Sequence, residues 1–242
     1  MSEYAEKRAL IIGAAGFVGA YLAAELNAAG GWHVCVTKML FEQVDIPKAT
    51  VYDLDILDRS AVDGLLAAER PDVIFHLAAQ SSVAVSWKKP SLTVDVNIKG
   101  TLNVLDAVRD CGFSPRILLI GSSEEYGPVR PEEVPVKETN PTRPSNIYAV
   151  TKNTQNQLGC LYAQAYGLDI LSTRSFNHIG PNQAPIFVVA DFCKQVAQIE
   201  KGQCEPVLRV GNLSAKRDFT DVRDVVRAYR LLADRGLSGE TY

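Results

Sequence analysis

The chain has 242 residues, enough for one large domain with an appendage or for two domains. Hydrophobic residues make up 47% and charged residues 22%, the balance of a folded globule, which excludes a disordered chain, a collagen-like chain and a small stapled scaffold. Net charge is −3, so no basic footprint points to nucleic acid, and no apolar run approaches the length of a membrane span. In chain order, residues 1–8 are polar and carry no leader-like apolar region. Residues 9–12 are an apolar run ending at Gly13, the pattern of a buried strand. Residues 17–29 read as a helix, with Val18, Leu22 and Leu26 spaced four apart. Val34, Cys35 and Val36 form a second strand and residues 50–54 a third. Residues 58–69 read as a helix started by Asp58 and stopped by Pro71. A fourth strand follows at 73–77, a helix at 92–110, a fifth strand at 116–120, a long helix at 147–167 and a sixth strand at 168–173. Five prolines make 127–145 an irregular loop over one edge of a site.

After Pro181 the periodicity weakens. A helix is expected at 186–201, a short strand at 207–211, a helix at 221–234 and the start of a strand at 239–242. Continuous apolar strands alternating with helices predict an α/β fold: a doubly wound parallel sheet of the Rossmann type, covered on both faces, with a smaller, truncated C-terminal substrate lobe. The expected division is 1–176 for the dinucleotide-binding domain and 177–242 for the start of the lobe, interleaved with the main sheet. The five cysteines (35, 111, 160, 193 and 204) are odd in number and lack C-x-x-C spacing. They read as buried or half-buried thiols in a reducing cytoplasm. Three scattered histidines predict no metal site.

Gly13-Ala14-Ala15-Gly16-Phe17-Val18-Gly19 is G-x-x-G-x-x-G between a strand and a helix. The first glycine permits the turn, the second admits a pyrophosphate to the backbone and the third lets helix pack on sheet. Gly13, Ala15, Gly16, Phe17, Val18 and Gly19 are therefore candidate dinucleotide contacts. At the end of the second strand stand Thr37 and Lys38, where an acid would grip the ribose diol of NAD. A hydroxyl and an ammonium suit a 2′-phosphate better, so NADP(H) is expected, with NAD(H) possible. Asp55 and Ile56 follow the third strand, at the adenine position. Ala78, Ala79 and Gln80 follow the fourth, on the way to the nicotinamide.

Tyr148 and Lys152 lie four apart on one helical face, and Ser122 and Ser123 follow the fifth strand at its carboxyl end. A serine, a tyrosine and a lysine there can protonate a carbonyl oxygen as hydride reaches its carbon. The ammonium is expected to lower the phenol pKa and the serine to hold the carbonyl.

Together with the glycine loop, His76-Leu77-Ala78-Ala79, the 97–101 segment Asn-Ile-Lys-Gly-Thr, Ser122 and Tyr148/Lys152 resemble the extended short-chain dehydrogenases/reductases over essentially the whole chain. Phe176 to Pro181, Phe187-Val188, Val210 to Leu213 and Arg217 to Asp224 resemble, within them, the family of GDP-4-keto-6-deoxy-D-mannose reductases, which form GDP-D-rhamnose with NADPH. The resemblance implies that Tyr148 is the acid, Lys152 the ribose-binding partner and Ser122 the residue that orients the ketone. It puts Leu77 and Asn97 at the cofactor and Ser123 at the GDP-sugar. Asn177 and Arg217 would hold the pyrophosphate of that substrate, and Val188 would lie near its guanine. Glu124, two before Tyr126, matches the base of the related GDP-mannose 4,6-dehydratases. Those enzymes carry threonine at position 122 and different residues at 179–180 and 219–221, so reduction is favoured, with the dehydratase or a nucleotide-sugar epimerase as alternatives. A sensor that lost the chemistry does not fit, since Tyr148 and Lys152 are both present. Family members run well beyond Tyr242, so the chain reads as part of a longer protein.

Assembly is expected too. Val150, Leu158, Leu161, Tyr162 and Ala165 give the long helix more apolar positions than one face absorbs, and Leu102, Val104, Leu105 and Val108 add to them from the helix before. A two-fold homodimer through four helices is the expected solution.

Overall fold

Six parallel strands carry the apolar runs: β1 (Lys7–Ile12), β2 (Trp32–Lys38), β3 (Ala49–Asp53), β4 (Val73–His76), β5 (Arg116–Ile120) and β6 (Ile170–Thr173). The computed structural model describes residues 6–242, so the first five residues of the polar start lie outside it. Strand order is β3-β2-β1-β4-β5-β6. The direction of winding reverses between β1 and β4, which opens a crevice beyond the carboxyl ends of those strands.

Alternate residues of each strand feed opposite faces. Ala9 and Ile11, Val34 and Val36, Val73 and Phe75 point into one core with Leu22 and Leu26 of α1 (Phe17–Ala29). Leu10 and Ile12, Cys35 and Ile74 point into the other, with Val62 and Leu66 of α2 (Arg59–Glu69). Both faces are covered, and this is why the strands read as unbroken apolar runs. Fully burying a leucine such as Leu22 or Leu26 contributes about 1.5–3 kcal/mol. Asp58 caps α2 by accepting the Ala61 N–H, and Arg70, in the left-handed region, ends it before Pro71.

The expected helix over 92–110 is three pieces: α4 (Pro90–Val94), a π-helical turn (Asp95–Lys99) and α5 (Gly100–Asp110), preceded by an unforeseen α3 (Val83–Lys88). The wide turn carries Asn97 inward, where its amide bonds Gln80 and Thr151. The long helix forms as expected, as α6 (Ile147–Tyr166).

Beyond β6 come β7 (Asn177–Ile179), α7 (Val188–Glu200), β8 (Phe219–Asp221) and α8 (Val222–Arg235). The strand expected at 207–211 is absent. Val207, Leu208 and Val210 are about half exposed and have no neighbouring strand to complete a ladder. Instead β7 and β8 pair in parallel, three residues each. Val222, Val225, Val226, Tyr229 and Ala233 of α8 return to the core beside α1. Thr241 then bridges to Ser172 on the outer edge of β6. Within 177–242, only 177–221 stands off the main sheet. Cys193 and Cys204 are exposed, contrary to expectation, because both lie in that poorly covered region.

Candidate active site

The glycine turn lies at the mouth of the crevice. Gly13 has φ +88°, and a Cβ there would come 2.6 Å from the Cα of Ala78. A Cβ on Gly19 would come 2.4 Å from the Cα of Ala14, so α1 rests directly on the turn. At Gly16 the same atom meets only the Gly13 carbonyl at 3.6 Å. Gly16 also leaves the N-terminus of α1 without a side-chain cap. Open space before uncapped N–H groups is what a pyrophosphate requires, so these residues fit a dinucleotide.

Thr37 departs from expectation. Its side chain is buried and its Oγ1 accepts the Gly13 N–H at 3.0 Å, so it braces the turn and faces away from any 2′-phosphate. Lys38 alone offers a cation there, and its Nζ is already 2.5 Å from Asp53 Oδ1 on the neighbouring strand. Ile56 is buried beneath Gly100, whereas Asp55 is exposed. Leu77, Ala78, Ala79 and Gln80 line the crevice half-buried. Asn97 has no exposed surface. Its side chain is consumed by Gln80 and Thr151, so it ties the β4 end to α6 from behind instead of touching a ligand.

Ser122, Tyr148 and Lys152 converge beyond β5. Asn146 caps α6 by accepting the Ala149 N–H, which sets the first turn, where Tyr148 stands. The Ser122 hydroxyl accepts the Glu124 N–H at 3.2 Å and lies beside the Tyr148 phenol, where it favours the phenolate and lowers the phenol pKa. Burial is the larger effect and raises that pKa well above the usual phenol value. The expected lowering by Lys152 is absent, because its ammonium donates elsewhere: to the Ile120 carbonyl at 2.7 Å and Gln155 Oε1 at 2.9 Å. Burial brings Lys152 down to about 8, with Glu125 opposing. Tyr148 is thus held in the protonated form that an acid needs. Glu124 Oε2 accepts from Asn146 Nδ2 at 2.9 Å, and Ser123 N–H donates to the Ser175 carbonyl.

In the lobe, Asn177 begins β7 opposite Phe219, and Arg217 lies two residues before Phe219. The Arg217 guanidinium donates to the Lys216 carbonyl and pairs with no carboxylate among the described residues; Asp221 is taken by Arg223. Val188 is half exposed at the start of α7.

The model of the family described as GDP-mannose 4,6 dehydratase matches residues 10–242. The chain belongs to this family. It is 36% identical over 237 residues to the GDP-6-deoxy-D-mannose reductase of Pseudomonas aeruginosa, covering 98% of this chain and 73% of that one. It is 34% identical to the GDP-mannose 4,6 dehydratase of Dictyostelium discoideum, covering 93% and 67%. The solved structure of RMD from Pseudomonas aeruginosa complexed with NADPH superposes with a TM-score of 0.87 at 35% identity, over 98% of this chain and 76% of that chain.

Against this family background, the residues that sequence spacing missed are those behind the triad. Gln155, Asn156, Glu125 and Arg174 are all buried or nearly so. Gln155 and Asn156, three and four residues after Lys152, carry a spacing signal; Glu125 and Arg174 carry none. A second cluster also escaped notice: ligand atoms of His33, Cys35 and Glu69 lie within 4.8 Å of one another. Arg8 and Tyr52 both hydrogen-bond the Glu69 carboxylate, so its charge is balanced by the chain itself, and burial pushes the Cys35 thiol up to about 12.

Proposed function

We propose that the chain reduces the 4-keto group of a GDP-4-keto-6-deoxy-hexose with NADPH, forming the GDP-6-deoxy-hexose. The observation that carries this reading is the buried, protonated Tyr148 beside Ser122, next to a glycine turn shaped for a dinucleotide. The activities of the relatives support the substrate class. The glycine turn and Lys38 would hold the cofactor, which when bound supplies the hydride. Ser122 orients the ketone through its hydroxyl. Tyr148 gives its proton to the carbonyl oxygen, so that hydride on carbon and proton on oxygen balance to an alcohol. Lys152 would hold the ribose of the bound cofactor and stabilise the phenolate left behind. Arg217, paired with no carboxylate among the described residues, matches a pyrophosphate through its guanidinium fork. A cytoplasmic setting accords with five unpaired cysteines.

Glu124 supports a second reading, dehydration of GDP-mannose, because its carboxylate reaches the cap of the helix that carries Tyr148. Glu124→Gln separates the two. Ketone reduction should persist within a few-fold in this variant, since no C–H bond is broken by a base. Conversion of GDP-mannose by the unaltered chain without added NADPH, lost in Glu124→Gln, would replace the reductase reading.

We also propose a two-fold homodimer, on a narrower set of residues than expected. Val104, Leu105 and Val108 are spent in the core, and Leu158 and Tyr162 pack against it. What stays exposed on α6 is Val150, Leu161, Ala165 and Tyr166, with Trp87, Leu92 and Val94 on α3 and α4 beside it. Light scattering at micromolar concentration should give twice the chain mass. Leu161→Glu should return a folded monomer; a monomer before mutation refutes the contact.

A further inference from the structure

Glu125 stands one residue after Glu124, yet faces the opposite way. It has no exposed surface. Its Oε1 accepts the Ser122 N–H at 2.9 Å. Its Oε2 accepts from Arg174 Nε at 3.2 Å and Asn156 Nδ2 at 3.4 Å. Burial raises its pKa, and the Ser122 N–H, the Arg174 guanidinium and the nearby Lys152 oppose that by favouring the ionised carboxylate. The backbone carbonyl of Glu125 accepts the Arg143 N–H, and Arg174 continues to the Glu138 carbonyl, so the same residue anchors the 127–145 loop.

We propose that Glu125 is a positioning residue for the reaction, a buried carboxylate that fixes Ser122 from behind and supplies the counter-charge that keeps Lys152 an ammonium. The kinetic half rests on the ketone-reduction reading; the electrostatic half does not. Lys152 is buried and donates only to neutral oxygens, Ile120 O and Gln155 Oε1. The ionisable groups around the Tyr148–Lys152 pair are His76 from β4, Glu124 and Glu125 from the turn after β5, Arg174 after β6 and Tyr229 from α8. His76 is neutral, brought down to about 3 by burial and then by Lys152, and Tyr229 is pushed up to about 12 by burial. Glu124 is partly solvated and bonded to Asn146. Arg174 is the cation paired with the Glu125 carboxylate. Asn156, one helical turn after Lys152, donates to the Glu125 carboxylate, and Lys152 bonds the Ile120 carbonyl two residues before Ser122, so Glu125 is the buried anion behind the ammonium and raises its pKa against burial.

The test is Glu125→Gln, which keeps the acceptor for the Ser122 N–H and removes the charge. Carbon-labelled lysine ε-methylene signals, with Lys152 assigned through Lys152→Met, report its titration by NMR without any substrate. The Lys152 midpoint should fall by about one pH unit or more, since an opposite charge is lost and Arg174 is left unopposed. The high-pH limb of kcat should move down with it, while kcat well below the midpoint stays within a few-fold. A folded variant with an unmoved Lys152 midpoint overturns the proposal, because a purely structural carboxylate would change stability alone. Should the glutamine variant not fold, Glu125→Asp decides. It keeps the charge but shortens the reach to Ser122, so the midpoint should hold while kcat falls at least about tenfold at every pH. An unchanged kcat there refutes the positioning role. An unaltered chain that oxidises no NADPH with the keto sugar refutes the reductase reading, and the NMR titration still judges Glu125.

Discussion

Tyr148→Phe lowers turnover of the keto sugar by on the order of 10²-fold or more, the usual scale of lost general acid catalysis. The ring stays in its buried place, so packing and cofactor affinity change little. The expectation follows from two features. The phenol is held protonated by burial, and its hydroxyl meets Ser122, where the ketone oxygen would be held. Loss of the hydroxyl thus removes the proton source without opening a cavity of any size. The loss should fall on kcat and kcat/KM alike, the mark of an interaction made in the transition state. Absorbance of the reduced nicotinamide follows the rate, and its fluorescence follows binding. Reduction at near the original rate by Tyr148→Phe would sink the assigned role and transfer the proton to another donor.

Gly13→Val weakens cofactor binding at least about tenfold and destabilises the fold. The position has φ +88°, which a β-branched residue adopts only at a cost of roughly 1–3 kcal/mol. Its first side-chain atom would lie 2.6 Å from Ala78 Cα and 2.7 Å from Ala78 N, backbone that yields only if the end of β4 moves. Overpacking of this kind adds about 1–3 kcal/mol more. At about 2–4 °C per kcal/mol for a chain of this size, Tm should fall by roughly 5–20 °C. NADPH affinity should drop at least about tenfold, because the turn and the 77–80 wall shift together. Gly64→Ala is the matched control. Gly64 lies in α2 with nothing within 4 Å of an added Cβ, so that change should leave binding intact and raise stability by up to about 1 kcal/mol. Titration calorimetry and thermal melts check both. A Gly13→Val chain that binds NADPH normally would mean the turn is not the dinucleotide site.

Much of this molecule is legible by reading residues in order. The six main strands, α1, α2, α6 and α8, the three glycines and the Tyr148–Lys152 spacing all follow from local rules: apolar runs, fourfold spacing, a capping aspartate, a residue without a side chain. Those rules act within a few residues, and the backbone obeys them wherever the chain ends up. The lobe assignments for Asn177, Val188 and Arg217 came from resemblance alone, since nothing periodic marks them. Other features were decided only when distant segments met. Thr37 turned inward because the Gly13 N–H needed an acceptor. The helix at 92–110 widened into a π turn because Asn97 found Gln80 and Thr151. Lys152 chose the Ile120 carbonyl over Tyr148, and Glu125 became the buried anion behind them. A residue's type and spacing determine which conformations and which bonds it is able to make. Which of those bonds form, and which charges lose their water, depends on neighbours tens of residues away, and only the packed sheet and helices bring those neighbours within reach.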